Sequence, residues 1–193
     1  MSTSRYAYIE ALSQVVEEEI VVTCLGAPTK LWRRLRPRDQ DICIYDAMGM
    51  AIPVALGVAA AVWPRRVLAM EGDGALLMNL GSLVTVVGAG MSNLTILLFN
   101  NGVYESSGGQ PLPCRGVDFA ALAQAAGISA AVRVDSAAAL VGAVRHAARG
   151  GTLSFIEALT EPEVGPPDPY VGRPSQVRPR FLRWWHGARG MTA

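Results

Sequence analysis

Lysine is almost missing from this chain of 193 residues: Lys30 is the only one among seventeen basic side chains, and the rest are arginines. The cations are therefore planar guanidinium forks, not flexible ammonium groups, a bias of composition that assigns no function. An excess of either charge is missing too, since sixteen acids leave a formal net charge of +1. That balance excludes a protein whose main partner is a polyanion such as nucleic acid. Cysteine is scarce: Cys24, Cys43 and Cys114 cannot all pair with one another, and none sits in a CxxC or zinc-like spacing. A reducing, cytoplasmic setting is the expectation. The acidic N-terminal stretch with Glu10, Glu17, Glu18 and Glu19 has no apolar run of signal-peptide type. The apolar stretch from Ala51 to Trp63 contains Pro53 and is too short to span a bilayer, so no membrane role is expected.

What is abundant is apolar material. Hydrophobic residues make up 51% of the chain against 17% charged, ample for a buried core. No internal repeat is present. Short β-rich runs occur at Ile20–Leu25, Ile42–Tyr45, Arg66–Met70, Leu94–Phe99, Ala130–Val134 and Leu153–Leu159. Most are continuously apolar instead of alternating, the pattern of strands buried on both faces. Helix-like segments lie between them near Arg5–Glu18, Thr29–Leu35, Met50–Val62, Leu76–Gly88, Phe119–Ala126 and Ser136–Arg149. Regular alternation of this kind predicts an α/β fold: a doubly wound, mostly parallel six-stranded sheet with helices on both faces. Residues 1–160 form that domain and residues 161–193 a Pro-rich extension, with six prolines between Glu161 and Pro179. The extension is expected to run extended and to end in a short amphipathic segment from Arg178 to Gly187. Its Phe181, Leu182, Trp184 and Trp185 suit docking on the body of the domain or on another subunit, or closure as a lid.

Ligands of open parallel sheets bind beyond the carboxyl ends of the strands, and three such ends carry informative sequence. Glu71-Gly72-Asp73-Gly74 follows one strand, Asn100-Asn101-Gly102-Val103-Tyr104 another, and Asp46-Ala47-Met48-Gly49-Met50 a third. Twenty-five residues separate Gly74 from Asn100, enough for one helix out and one strand back in a right-handed crossover. If the two strands are neighbours, Asp73 and Asn101 emerge side by side, offering one carboxylate and one amide oxygen to a hard divalent cation. The carbonyl of Val103 is placed to add a third ligand, and magnesium would complete its octahedron with diphosphate oxygens or water. Gly72, Gly74 and Gly102 let the backbone approach a phosphate closely, and a helix beginning at Ala75 would turn its positive end to the same spot. Gly-Asp-Gly alone is ordinary turn chemistry; the pairing of the two motifs across one crossover is what points to a magnesium–diphosphate site.

These residues resemble the cofactor motif of thiamine diphosphate enzymes. GDGALLMNLGS from Gly72 and NGVYESSGGQP from Asn101, with the opening IVVTCLGAP and the closing GRPSQVRPRFLRWW, are similar to the sulfopyruvate and phosphonopyruvate decarboxylase group. The resemblance implies magnesium held by Asp73, Asn101 and the main chain of Val103. Thiamine diphosphate would be contacted by Asp46, Ala47, Met48, Gly72, Gly74, Ala75 and Tyr104. It also makes Met48 the apolar wedge that holds the cofactor bent, where a purely local reading leaves it a core residue. The sequence departs from the family at three places: Asp46 stands where glycine is usual, Ala75 where serine is frequent, and Glu105 where glycine is frequent. A carboxylate beside a diphosphate is repelled, so Glu105 is expected to face solvent. The resemblance further implies that the glutamate activating the cofactor belongs to a separate, pyrimidine-binding α-type subunit, making this the diphosphate-binding β-type half of a hetero-oligomer. The implied reaction is decarboxylation of a small anionic 2-oxo acid, with carboligation or a non-catalytic binding role as alternatives. His146 and His186 lie away from the strand ends and are not expected to be catalytic.

Overall fold

Continuous apolar runs do become the strands of one sheet in the computed structural model, which describes residues 3–114, 116–163 and 172–190. In chain order the elements are α1 (Arg5–Ser13), β1 (Ile20–Thr23), α2 (Ala27–Leu35), β2 (Ile42–Cys43), α3 (Ala51–Val62) and β3 (Val67–Gly72). Next come α4 (Asp73–Met78), α5 (Ser82–Ala89), β4 (Leu94–Asn100), β5 (Val103–Tyr104) and β6 (Gln110–Pro111). The series ends with α6 (Phe119–Ala125), β7 (Ala130–Val134), α7 (Ala137–Gly150), β8 (Ser154–Leu159) and α8 (Pro174–Gly190). Six strands form a wholly parallel sheet in the order β2-β1-β3-β4-β8-β7, while β5 and β6 make a small antiparallel hairpin beyond its edge.

Strand residues alternate between two cores. Val67 and Ala69 face the side covered by α3, α5 and α6, and Leu68 and Met70 face the side covered by α1, α2 and α7. The chain leaves β1 outward to β2 and then returns to β3 on the other side of β1, so strand order reverses between β1 and β3. Crevices open at such switch points in doubly wound sheets.

Three local differences from the sequence reading have physical causes. The helix expected to run to Glu18 stops at Ser13, because Glu17, Glu18 and Glu19 would crowd negative charge at the negative end of the helix dipole. Arg36 and Arg38 bind the carbonyls that follow, at Ser13, Val16, Glu17 and Glu19. The helix expected over Leu76–Gly88 is broken into α4 and α5 at Asn79, whose Nδ2 donates to the carbonyl of Gly49 at 2.9 Å. A side chain at Gly49 would meet Asn79 at 2.8 Å, so glycine is required there for the two turns to touch.

The third difference concerns the extension. Residues 164–171, within the stretch expected to be extended, lie outside the described residues. Beyond them α8 starts earlier than expected, with Pro174 in its first turn and Pro179 accepted inside it. Phe181, Trp184 and Trp185 rest on the core under α3, Arg65 covers the Trp184 ring at 5.1 Å, and Arg180 donates to the carbonyl of Asp41 at 2.8 Å.

Asp41 ties this edge of the sheet together. Its carboxylate is fully buried and accepts from the Val21 N–H, Trp32 Nε1 and both Nε and Nη2 of Arg38 at 2.7–3.1 Å. Asp41→Ala would leave a buried indole N–H unpaired and the Arg38 guanidinium without its counter-ion, and should cost about 3–5 kcal/mol in denaturant unfolding. A loss below about 1 kcal/mol would contradict this assignment.

Candidate active site

The β3–β4 pairing runs in register to its end, with Gly72 opposite Phe99, so the residues that follow each strand emerge together. Asp73 is almost fully buried. Its Oδ1 accepts from the Gly74 N–H at 2.7 Å, and its Oδ2 reaches across to the Gly102 N–H, also at 2.7 Å. Gly102 has φ of +73°, in the region that favours glycine, and this conformation turns its N–H toward Asp73. Burial raises the Asp73 pKa, and the hydrogen bonds from Gly102 and Gly74 oppose that rise.

The two asparagines after β4 have different roles. Asn100 Nδ2 donates to the buried Glu157 carboxylate on β8 at 2.7 Å and serves the scaffold. Asn101 faces the crevice; its Oδ1 accepts from the Val103 N–H at 3.0 Å, and its Nδ2 donates to Glu105 Oε2 at 2.7 Å.

A cavity of about 280 Å³ opens at these strand ends, lined among others by Met48, Gly72, Asp73, Gly74, Ala75, Asn101, Val103 and Tyr104. Eight of the residues singled out from sequence thus meet in one space. Asp46 and Ala47 do not line it; both are exposed on the turn before Met48. Gly74 is required because Tyr104 lies on it, leaving a Cβ only 2.5 Å from the ring. At Gly72 a Cβ would meet nothing within 4 Å. The protein itself does not demand glycine there, so the bare backbone leaves room for a ligand.

Glu105 corrects the expectation of a solvent-facing side chain. It turns inward and is gripped by the Arg5 guanidinium, Nη1 to Oε2 at 2.9 Å and Nη2 to Oε1 at 2.7 Å. Burial pushes its pKa up, but the ion pair and hydrogen bond from Arg5 outweigh burial and hold it below the ordinary carboxylate range. Arg5 lines the same cavity, and no local pattern in the sequence marks it. Its guanidinium also meets Glu163 at 3.2 Å. The first turn of α2, at Ala27 and Pro28, forms another wall. His146 and His186 are exposed, outside the cavity lining.

The oxygens of Asp73 and Asn101 and the carbonyl of Val103 are hard donors suited to magnesium. Among the described residues, no group of three or more His, Cys, Asp and Glu side chains could hold a metal unaided. The donor set thus fits a cation whose shell is completed by an anionic ligand, and the space over Gly72 fits that ligand.

The family described as "Thiamine pyrophosphate enzyme, C-terminal TPP binding domain" matches residues 22–158. The chain belongs to this family of thiamine pyrophosphate enzymes. Within it, the chain is similar to β-type decarboxylase subunits. It is 35% identical to sulfopyruvate decarboxylase subunit beta of Methanothermobacter thermautotrophicus, over 67% of this chain and 69% of that one. With the subunit beta of Methanococcus maripaludis the identity is 29%, covering 94% and 97% of the two chains. Phosphonopyruvate decarboxylase of Streptomyces hygroscopicus is 37% identical over 84% of this chain, which spans only 43% of that longer protein. Benzoylformate decarboxylase from Polynucleobacter necessarius shares the fold, with a TM-score of 0.73 and 22% identity; the alignment covers 86% of this chain and 34% of that one.

Behind the site, Glu71 is fully buried and accepts from the Ala51 and Gly72 N–H groups at 3.2 and 3.1 Å. Burial raises its pKa to about 7 against those hydrogen bonds and one from Cys24. An acid with a raised folded pKa binds a proton that the unfolded chain has already lost. Its contribution is therefore complete below about pH 4.5 and is lost as pH rises through about 7. In the metal-free protein, unfolding free energy should fall by up to about 3 kcal/mol over that window. Glu71→Gln should flatten the slope in urea titrations from pH 4.5 to 8; an unchanged slope would contradict the assignment.

Proposed function

We propose that this chain is the diphosphate-binding subunit of a two-subunit, thiamine diphosphate-dependent decarboxylase acting on a small anionic 2-oxo acid of the sulfopyruvate or phosphonopyruvate kind. The observation that carries this reading is the convergence of Asp73, Asn101 and Val103 at one end of two in-register strands, in the same cavity as Met48. The β-type relatives, two of them matched over most of their length, support the subunit assignment.

In this reading the Asp73 and Asn101 side chains and the Val103 carbonyl would hold magnesium, which would anchor the diphosphate. Gly72, Gly74 and Ala75 bring backbone close to the phosphates, and Tyr104 closes over Gly74. Met48 would support the cofactor from the cavity wall, and Asp46 and Ala47 lie exposed on the turn before it. Bound there, thiamine diphosphate supplies the electron sink that lets a 2-oxo acid lose carbon dioxide. The hydrogen bonds from Gly74 and Gly102 hold the Asp73 carboxylate still before the metal arrives, so little ordering is left for the binding step.

The fate of the carboxylates agrees with a divided site. Among the described residues, those lining the cavity are Asp73 and Glu105. Asp73 is assigned to the metal, and Glu105 is engaged by Arg5 and Asn101. Glu71, just behind, is surrounded by the Ala51, Gly72 and Cys24 groups. None of these three is free to protonate a pyrimidine nitrogen, and the β-type relatives support placing that general acid on a pyrimidine-binding α-type subunit. Met50, Met78 and Val84, all substantially exposed apolar side chains on the α3, α4 and α5 side, suit burial in such an assembly.

Two experiments test this reading. Asp73→Ala should abolish magnesium-dependent thiamine diphosphate binding in calorimetry, while Met48→Ala should lower turnover and leave most of that binding intact. Unchanged affinity in the first variant removes the ligand assignment, and equal loss of both properties in the second removes the wedge. The purified chain alone should release almost no carbon dioxide from sulfopyruvate or phosphonopyruvate until its partner is added. Robust turnover by the chain alone would refute the divided site, and products formed with an added aldehyde would separate decarboxylation from carbon–carbon bond formation.

A further inference from the structure

An asparagine ligand poses a problem that an aspartate does not. Its amide has an oxygen on one side and an NH2 on the other, and the two orientations are close in intrinsic energy. Only the oxygen can bind a cation. Two contacts decide the matter for Asn101. The Val103 N–H is a pure donor and takes Oδ1 at 3.0 Å, and the Glu105 carboxylate, an acceptor when ionised, takes Nδ2 at 2.7 Å. Carbonyl oxygen has two lone pairs, so one remains for a metal.

Glu105 is itself immobilised. Both of its oxygens are bound by Arg5, whose side chain is 5% exposed, in the bidentate geometry that fixes a carboxylate most firmly. Arg5 opens α1, where the helix dipole disfavours a cation. The Glu105 and Glu163 carboxylates offset that placement and leave the cluster of three side chains with net negative charge, so the guanidinium does not repel a nearby metal ion. The contact joins residues 100 positions apart and brings α1 to the strand ends.

We propose that Glu105, locked by Arg5, is a positioning residue that fixes the Asn101 amide with its oxygen toward the magnesium site. This inference rests on the magnesium–diphosphate reading. Glu105 touches neither metal nor substrate; it acts through Asn101.

The test uses the chain purified with its partner subunit and reads Mn2+ binding by EPR in saturating thiamine diphosphate, with folding of each variant followed by circular dichroism. The wild type and Asp73→Ala set the baseline. If wild-type binding does not depend on thiamine diphosphate, or survives Asp73→Ala, the parent reading fails and takes the proposal with it. With that baseline in place, Glu105→Ala should weaken Mn2+ binding about tenfold or more, as expected for a group that orients a ligand. Asn101→Asp presents oxygen in either orientation, so adding it to Glu105→Ala should restore most of the lost affinity. Glu105→Gln, which keeps an acceptor for Nδ2, should lose less than Glu105→Ala. Affinity within twofold of wild type in Glu105→Ala, or a double variant as weak as Glu105→Ala alone, would overturn the proposal. Equal losses in the Ala and Gln variants would overturn it as well.

Discussion

The Asp73 carboxylate bridges two strand ends, accepting from Gly74 on its own turn and from Gly102 on the next at 2.7 Å each. That arrangement depends on β3 and β4 being adjacent, parallel and in register to their last residues. A one-residue slip would turn the side chains to opposite faces of the sheet. The register is secured by burial on both faces, since Leu68, Met70 and Leu97 belong to one core and Val67, Ala69, Ile96 and Leu98 to the other. The site is therefore a consequence of how the sheet is packed, and the glycines at Gly74 and Gly102 make the last step possible.

Buried carboxylates recur around this centre, each satisfied differently. Glu157 is paired with Arg133 and holds Asn100 and the first turn of α6. Glu71 accepts from backbone and thiol donors, and its carboxyl joins the first N–H of α3 to the end of β3. It thereby couples the turn bearing Met48 to the turn bearing Asp73. Glu105 is paired with Arg5. Removing charge from water is costly unless the group is paired, hydrogen-bonded or neutralised, and here each solution ties a site-bearing loop to the scaffold.

Much of the fold was legible because strands buried on both faces leave mostly unbroken apolar runs, and all six sheet strands lie on the β-rich runs of the sequence. The meeting of Asp73 and Asn101 was legible because it is set by a single crossover, which sequence spacing reports directly. Other features depend on contacts that spacing does not encode. The break between α4 and α5 is set by Asn79 meeting Gly49, and the inward turn of Glu105 is set by an arginine 100 residues away. Repulsion by a diphosphate alone would turn Glu105 to solvent; the Arg5 guanidinium, distant in sequence, reverses that balance. The start of α8 is hidden in the sequence because proline signals extended chain as well as a first helical turn, where it is well tolerated.

One hard cation is proposed to sit between the ends of β3 and β4. Crystals of the assembled enzyme grown with thiamine diphosphate and Mn2+ would test it by anomalous diffraction at the manganese edge. A peak bonded to the Asp73 and Asn101 side-chain oxygens and to the Val103 carbonyl is the predicted result. A peak elsewhere, or ordered cofactor with no metal at these three oxygens, would contradict the account.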